Sequence, residues 1–288
     1  MRHIKSPAFI IFLVTAVIYT LLSWERVTQP SPQFHFVDLA QSLLSGRLDT
    51  DTPRQRRHSK AQPEDAPGYR DAIKRTLKSG GWNDWAQIRT LTLKDGTVVQ
   101  GRFPWPQAKD DKRHTFWTND HRQLQVIVPQ ELARTCGKSG KNRCDERKHY
   151  VSFPPFPAIV MMPAVAIWGY DVNDVFITVL FGALNALLVF LLLQLLVRRG
   201  HSDRTLRDNV WLTILVAFGT VVFFSSVRGE VWFTALVFGL TFNLLYVLAA
   251  LDAKHPFLAG LMLACGMATR TPIAFCFVFF AWQLFFPG

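Results

Sequence analysis

The chain has 288 residues, room for one or two domains, with 49% hydrophobic residues, 18% charged residues and a formal net charge of +11. Its mean hydropathy of +0.14 would suit a soluble protein, but residues 25–150 hold 23 of the 32 Lys and Arg and 15 of the 21 Asp and Glu. The other 162 positions share only 9 basic and 6 acidic residues, a division that excludes intrinsic disorder and a single soluble globule. It predicts an α-helical polytopic membrane protein with a polar insertion.

Arg2, His3 and Lys5 precede the uncharged run Pro7–Trp24, long enough to cross a hydrocarbon core of about 30 Å. A signal peptide is the alternative, but Ser23-Trp24-Glu25-Arg26 offers no small-x-small cleavage site. Residues 1–24 are therefore expected to be a retained first span with a cytoplasmic N-terminus, in the cell (inner) membrane. Residues 25–150 then form an external loop. Within it, Phe36, Leu39, Ala40, Leu43 and Leu44 recur at helical spacing before Gly46, which predicts an interfacial helix over 35–46.

Residues 51–68 read as a linker, and 69–79 as a short helix before Gly80-Gly81. Ile88, Leu91 and Leu93, then Asp95-Gly96, then Val98 and Val99, predict a β-hairpin with a two-residue turn. Phe116-Trp117, Asn119-Asp120 and Leu124, Val126, Val128 give a second, weaker hairpin, so 82–130 is expected to be a small β-rich external insertion. Cys136 and Cys144 bracket CGKSGKNRC, and outside the cytoplasm they are expected to close a disulfide; two cysteines without a second pair are not a zinc pattern. The basic tract 54–60 reads as a solvated loop.

Residues 151–288 are expected to be the membrane bundle. Pro154–Gly169 is short and carries four prolines, which predicts an external interfacial or re-entrant helix with Trp168 and Tyr170 at headgroup level. Further spans are expected at Val175–Val197, Val210–Val227, Val231–Leu251, Phe257–Thr269 and Ile273–Phe286, making about six in all. Flanking Lys254, His255 and Arg270 can snorkel for the two short ones. Arg198, Arg199, Arg204 and Arg207 mark a cytoplasmic loop, which by counting puts Arg228–Glu230 and Arg270 outside and Asp252–His255 inside. Asn185, Gln194 and Asn243 suit interhelical hydrogen bonds, and Cys265 and Cys276 read as inert small hydrophobes.

Ionisable groups near a bilayer are costly and so become functional candidates. On the external side these are Asp38 and His35 on the polar face of the interfacial helix, Arg47 just beyond it, Arg228 and Glu230 in one turn, and Arg270 in another. Arginine suits phosphate because its planar fork donates two hydrogen bonds. A carboxylate there can take a proton from an attacking hydroxyl or bind a divalent cation. The bland alternatives are snorkelling anchors for the arginines, a surface charge for Asp38 and a helix cap for Glu230. Nothing points to nucleic acid.

The order of elements resembles the GT-C superfamily of polyprenyl-phosphate-sugar-dependent membrane glycosyltransferases, nearest the protein O-mannosyltransferases and the aminoarabinose transferase of lipid A. The resemblance rests on FHFVDLAQSLLSGRLD (34–49), YVSFPPFPAIVMMPAVAIWG (150–169), the long span 174–199, AFGTVVFFSSVRGEVW (217–232) and AGLMLACGMATRTP (259–272). It implies transfer of a sugar from a polyprenyl-phosphate donor to a lipid, glycan or protein acceptor at the external face, with membrane lipids as surroundings. It also implies a catalytic acid at the first external helix, for which Asp38 stands, a second at Glu230 and a basic residue near Arg270. His35, Arg47 and Arg228 join Arg270 as the substrate-binding candidates read from the residues themselves. Since family members continue through more spans, the chain is expected to be a fragment or a shortened relative. Where the family carries an acidic motif this chain reads Ser31-Pro32-Gln33-Phe34, which leaves Asp38 as the nearest carboxylate. A transporter would place charges in mid-span, and these spans hold almost none. A non-catalytic scaffold binding a partner through 82–130 is the third reading.

Overall fold

The computed structural model describes residues 2–29, 35–50, 85–93, 96–102, 115–119, 123–125 and 145–286. The linker 51–68, the helix expected over 69–79 and the Cys136–Cys144 pair lie outside the described residues. The chain divides into two compact units, residues 1–41 with 154–288, and residues 42–153.

The first unit is helical: α1 (Arg2–Leu22), α2 (Trp24–Val27), the start of α3 (His35–Leu44), α4 (Phe156–Trp168), α5 (Asp174–Arg198), α6 (Leu206–Gly219), α7 (Val221–Arg228), α8 (Val231–Ala250), α9 (Pro256–Thr269) and α10 (Phe277–Phe285). α5 is the hub, packed by α1, α6, α7 and α8, while α9 packs on α8. Close approach is bought with small residues. A Cβ on Gly182 of α5 would lie 2.3 Å from Ser226 Oγ of α7 and 3.1 Å from the Tyr19 ring of α1. Polar clasps fix the register of the parallel pair α5–α8. Thr178 and Thr234 share a hydroxyl hydrogen bond of 2.8 Å, Asn185 Nδ2 donates to Val237 O at 2.9 Å, and Thr241 Oγ1 donates to Asn185 Oδ1 at 2.7 Å. This bears out the interhelical role expected of Asn185.

Among the described residues, two helices are long and apolar enough to cross a membrane, Asp174–Arg198 and Val231–Ala253. A third crossing is counted if α6 and α7 form one span bent by 55°. The expectation of about six therefore exceeds what length supports, for reasons that differ by segment. α1 has 21 residues, and its apolar part, Pro7–Leu22, counts among the shorter apolar helices. Thr220 breaks the run 210–227: it adopts extended backbone, its Oγ1 donates back to Val216 O at 2.7 Å and accepts from Val222 N at 3.2 Å. The last two segments fold as a 14-residue helix, a 3-10 turn (Thr271–Cys276) and the nine-residue α10. α4 is short, as expected of its prolines, and Trp168 is exposed, but Tyr170 is buried rather than at a headgroup surface.

α3 also departs from expectation. His35 through Ala40 are all buried, so its polar residues do not form a solvated face. Its end is as predicted: Gly46 takes a φ of +71°, Gly46 N–H reaches Leu43 O and Arg47 N–H reaches Ser42 O, the double bond of a Schellman cap.

The second unit holds an antiparallel sheet, β1 (Trp85–Thr92), β2 (Val98–Arg102), β3 (Thr115–Thr118), β4 (Gln123–Gln125) and β5 (Asp145–Val151), ordered β4-β3-β2-β1-β5. Both expected hairpins are present, β1–β2 with Leu91 opposite Val99 and β3–β4 with Phe116 opposite Leu124. The first turn differs: Leu93 and Thr97 close it, leaving three residues in the loop, and Gly96 sits at φ +84°, the left-handed position such a loop requires. β5 had no sequence signal because its residues are mostly charged. It pairs with β1 over seven positions, and Thr50 bridges to His149 on its other side.

Candidate functional site

Glu230 precedes α8 in a turn that Gly229 makes possible. Gly229 is left-handed (φ +58°), and a Cβ there would stand 2.8 Å from the backbone of Val175, so the turn lies directly on the first turn of α5. Glu230 Oε1 accepts from Arg228 Nε at 2.7 Å and pairs with Arg26 Nη1 at 3.5 Å. Arg26 Nη1 also donates to Arg228 O at 3.0 Å. Two guanidinium groups against one carboxylate leave this cluster at net +1. The side chains of Arg26 and Arg228 are 41% and 39% exposed, enough for a ligand to reach them, while Glu230 is 25% exposed.

Asn173 ties the cluster to the second candidate acid. Its Oδ1 caps α5 by accepting from Phe176 N at 2.7 Å. Its Nδ2 donates to the carbonyls of Arg26 and Val27, holding α2 against the start of α5. Three residues earlier, Tyr170 donates its hydroxyl to Asp38 Oδ1 at 2.6 Å. Asp38 is 1% exposed and His35 2%, so both are interior groups rather than residues of a wet face. A Tyr–Asp hydrogen bond of this length in a dry setting holds the carboxylate in place but leaves it no open path to a soluble acceptor.

The structure therefore brings Asp38, Arg228 and Glu230 to one end of the bundle, through partners that sequence reasoning missed: Arg26, Tyr170 and Asn173. Arg26 carried a legible signal, being the first arginine after the first apolar run and on the same expected side as Glu230. Of the other expected members, one falls in the second unit and one lies deeper along α8. Arg47 belongs to the second unit, where it pairs with Asp49 at 3.5 Å. Arg270 follows α9, which is only 14 residues long and, running back along α8 from its end, stops well short of the start of α8. A Cβ on Gly239 would meet Arg270 Cγ at 3.3 Å, so Arg270 lies nine residues along α8 from Glu230, about 13 Å deeper at 1.5 Å per residue. Among the described residues its guanidinium makes no hydrogen bond or ion pair.

Among the described residues no group of three or more His, Cys, Asp or Glu is arranged to hold a metal ion. Cys265 and Cys276 are free thiols, and the Cys276 carbonyl accepts from Tyr246 Oη at 2.7 Å.

What the first unit defines is a helical membrane-type bundle with a cationic cluster at one end. No family model, no curated protein and no solved structure matches the chain.

Proposed function

We propose that the chain is a membrane glycosyltransferase of GT-C type, moving a sugar from a polyprenyl-phosphate donor to an acceptor at the Glu230 end of the bundle. The observation that carries this reading is the Arg26–Glu230–Arg228 cluster, net positive and accessible. The two arginines hold the donor phosphate and stabilise the charge that grows on it as the glycosidic bond breaks, where preorganised cations lower a barrier most. Glu230 orients both guanidinium groups and is the carboxylate nearest an incoming hydroxyl. Asp38, buried on Tyr170, supports α3 rather than meeting the acceptor. Arg270 starts too deep to share the phosphate oxygens held by the cluster, and its guanidinium extends from beside Gly239 toward the surface. Six crossings belong to this reading, with α9 and α10 shortened and their flanking Lys254 and Arg270 snorkelling.

A scaffold without catalysis is the second reading. It is favoured by one observation, that both candidate carboxylates are already engaged, Asp38 by Tyr170 and Glu230 by two arginines. The deciding experiment reconstitutes the full chain in liposomes with polyprenyl-phosphate-linked labelled sugars and follows release of label from the lipid. Donor-dependent release that falls about 100-fold in Arg228→Gln supports transfer. Release no faster than from empty liposomes, across hexose and pentose donors, removes the enzyme and leaves the scaffold.

A further inference from the structure

At the opposite end of the bundle from Glu230, three buried donors lack a partner among the described residues: Arg204 Nη2, Asn209 Nδ2 and Gln194 Nε2. Two of them are one unit, because Arg204 Nε donates to Asn209 Oδ1 at 3.1 Å. Asn209 is wholly buried in the first turn of α6. Gln194 sits about one turn before the end of α5, the same distance from the connecting loop on the other arm of the hairpin. A buried N–H left unbonded is costly, so the two on the joined Arg204–Asn209 pair mark a place built for an acceptor. The charge there is positive: residues 198–208 carry four arginines against two aspartates. Arg199 is committed to Asp252 at 3.1 Å, and Asp208 is committed to Thr205 in the capping box that starts α6.

An apolar groove of about 140 Å³ begins beside these donors. It runs between α1 and α6, lined by Ile10, Val14 and Thr15 on one side and Val210, Ile214 and Phe218 on the other. Val210 follows Asn209 directly, and Thr213, also in the lining, donates its hydroxyl to Asn209 O at 2.8 Å. The eight helical steps from Val210 to Phe218 give the groove a length of about 12 Å. Its walls are open on the outer surface of the bundle, with Val14 and Ile214 both substantially exposed.

We propose that this region binds one anionic phospholipid, its phosphate on Arg204 and Asn209 with Gln194 near, and one acyl chain along the α1–α6 groove. The cation selects an anionic headgroup over a zwitterionic one, because a choline ammonium brought to the same place would meet the arginines. The groove selects a lipid over a free phosphate, because only a lipid occupies both parts at once. The site is independent of the glycosyl-transfer reading, whose cluster lies at the other end of the helices.

The test is native mass spectrometry of the full chain released from nanodiscs of equal phosphatidylglycerol and phosphatidylcholine. The wild type is expected to retain one phosphatidylglycerol, with phosphatidylcholine retained about tenfold less. Arg204→Gln should lower phosphatidylglycerol retention roughly fivefold, while Arg207→Gln, an exposed neighbour outside the donor set, leaves it near the wild-type level. Val14→Trp fills the groove from its lipid-facing side and should lower retention without touching the arginine, which keeps the test decisive should Arg204→Gln fail to fold. Equal retention of the two lipids overturns the proposal, as does wild-type retention in both Arg204→Gln and Val14→Trp. Capture of inorganic phosphate alone, with no lipid preference, also overturns it and leaves a simple ion site.

Discussion

Both ends of the helical unit use the same device, one carboxylate between two basic groups, and the two cases differ in what surrounds it. At one end Glu230 lies between Arg26 and Arg228. At the other, Asp252 pairs with Arg199 at 3.1 Å and His201 at 2.9 Å. Asp252 occupies a tight connection between α8 and α9 in which it and Ala253 are both left-handed, at φ +56° and +51°, and its N–H is held by Gln283 Oε1 at 2.9 Å. That carboxylate is fully used as a staple between helix ends. The Glu230 cluster is more exposed and keeps two cations facing outward. A clamped carboxylate is thus not a functional signature in itself; the surplus of reachable positive charge distinguishes the two ends.

The sharpest way to break this comparison is to neutralise each acid. Glu230→Gln is expected to lower sugar transfer about 100-fold while costing at most about 1 kcal/mol of stability, since the pairs it removes are partly exposed. Asp252→Asn should do the reverse, with transfer near wild type and a stability loss of about 1 kcal/mol from two weakened contacts. Labelled-sugar release and thermal unfolding in detergent, measured on both variants, decide it. Equal effects of the two substitutions on transfer would make both ends structural.

A second comparison is between packed and open glycines. Gly182→Ala places a methyl 2.3 Å from Ser226 Oγ and should cost about 2 kcal/mol through overpacking at the α1–α5–α7 contact. Gly229→Ala meets the Val175 backbone and a left-handed φ together, and a loss of similar size, about 2 kcal/mol, is expected with the Glu230 cluster displaced. Thermal unfolding reads both, and a Gly229→Ala protein with unchanged stability and transfer would mean that the turn does not rest on α5. Asn185→Ala, which removes the α5–α8 clasp, should cost less, about 0.6–1.5 kcal/mol, because hydrogen bonds inside membrane bundles are individually modest.

What was legible in the sequence follows from how each element is stabilised. α5 and α8 are continuous apolar runs, and the β1–β2 hairpin alternates about a Gly, so pattern and structure agree. β5 was hidden because a strand held by backbone pairing to β1 has no need of an apolar stripe. The break between α6 and α7 was hidden because Thr220, with no proline, ends one helix and caps the next through its side chain. At the site, Glu230 and Arg228 stood out as charges in an apolar stretch. Tyr170 and Asn173 did not, because their importance lies in whom they touch 132 and 146 residues away. Arg270 was placed by counting spans, which treats every helix as full length; α9 is short, and the count therefore put its end at the surface instead of beside Gly239.

The smallest effect is expected where a glycine has no such neighbour. Gly260 lies within α9 with open space where its Cβ would be, and it is exposed on the helix surface. Alanine there removes backbone freedom from the unfolded chain at no steric cost, so Gly260→Ala should raise stability by about 0.5–1 kcal/mol. The sign matters more than the size: α9 carries Arg270 at its end, and a stiffer α9 that leaves transfer unchanged is what a fixed arginine would give. If Gly260→Ala instead stabilises the protein and slows transfer, α9 must bend during turnover, and the 13 Å that separates Arg270 from Glu230 would be a distance the protein closes.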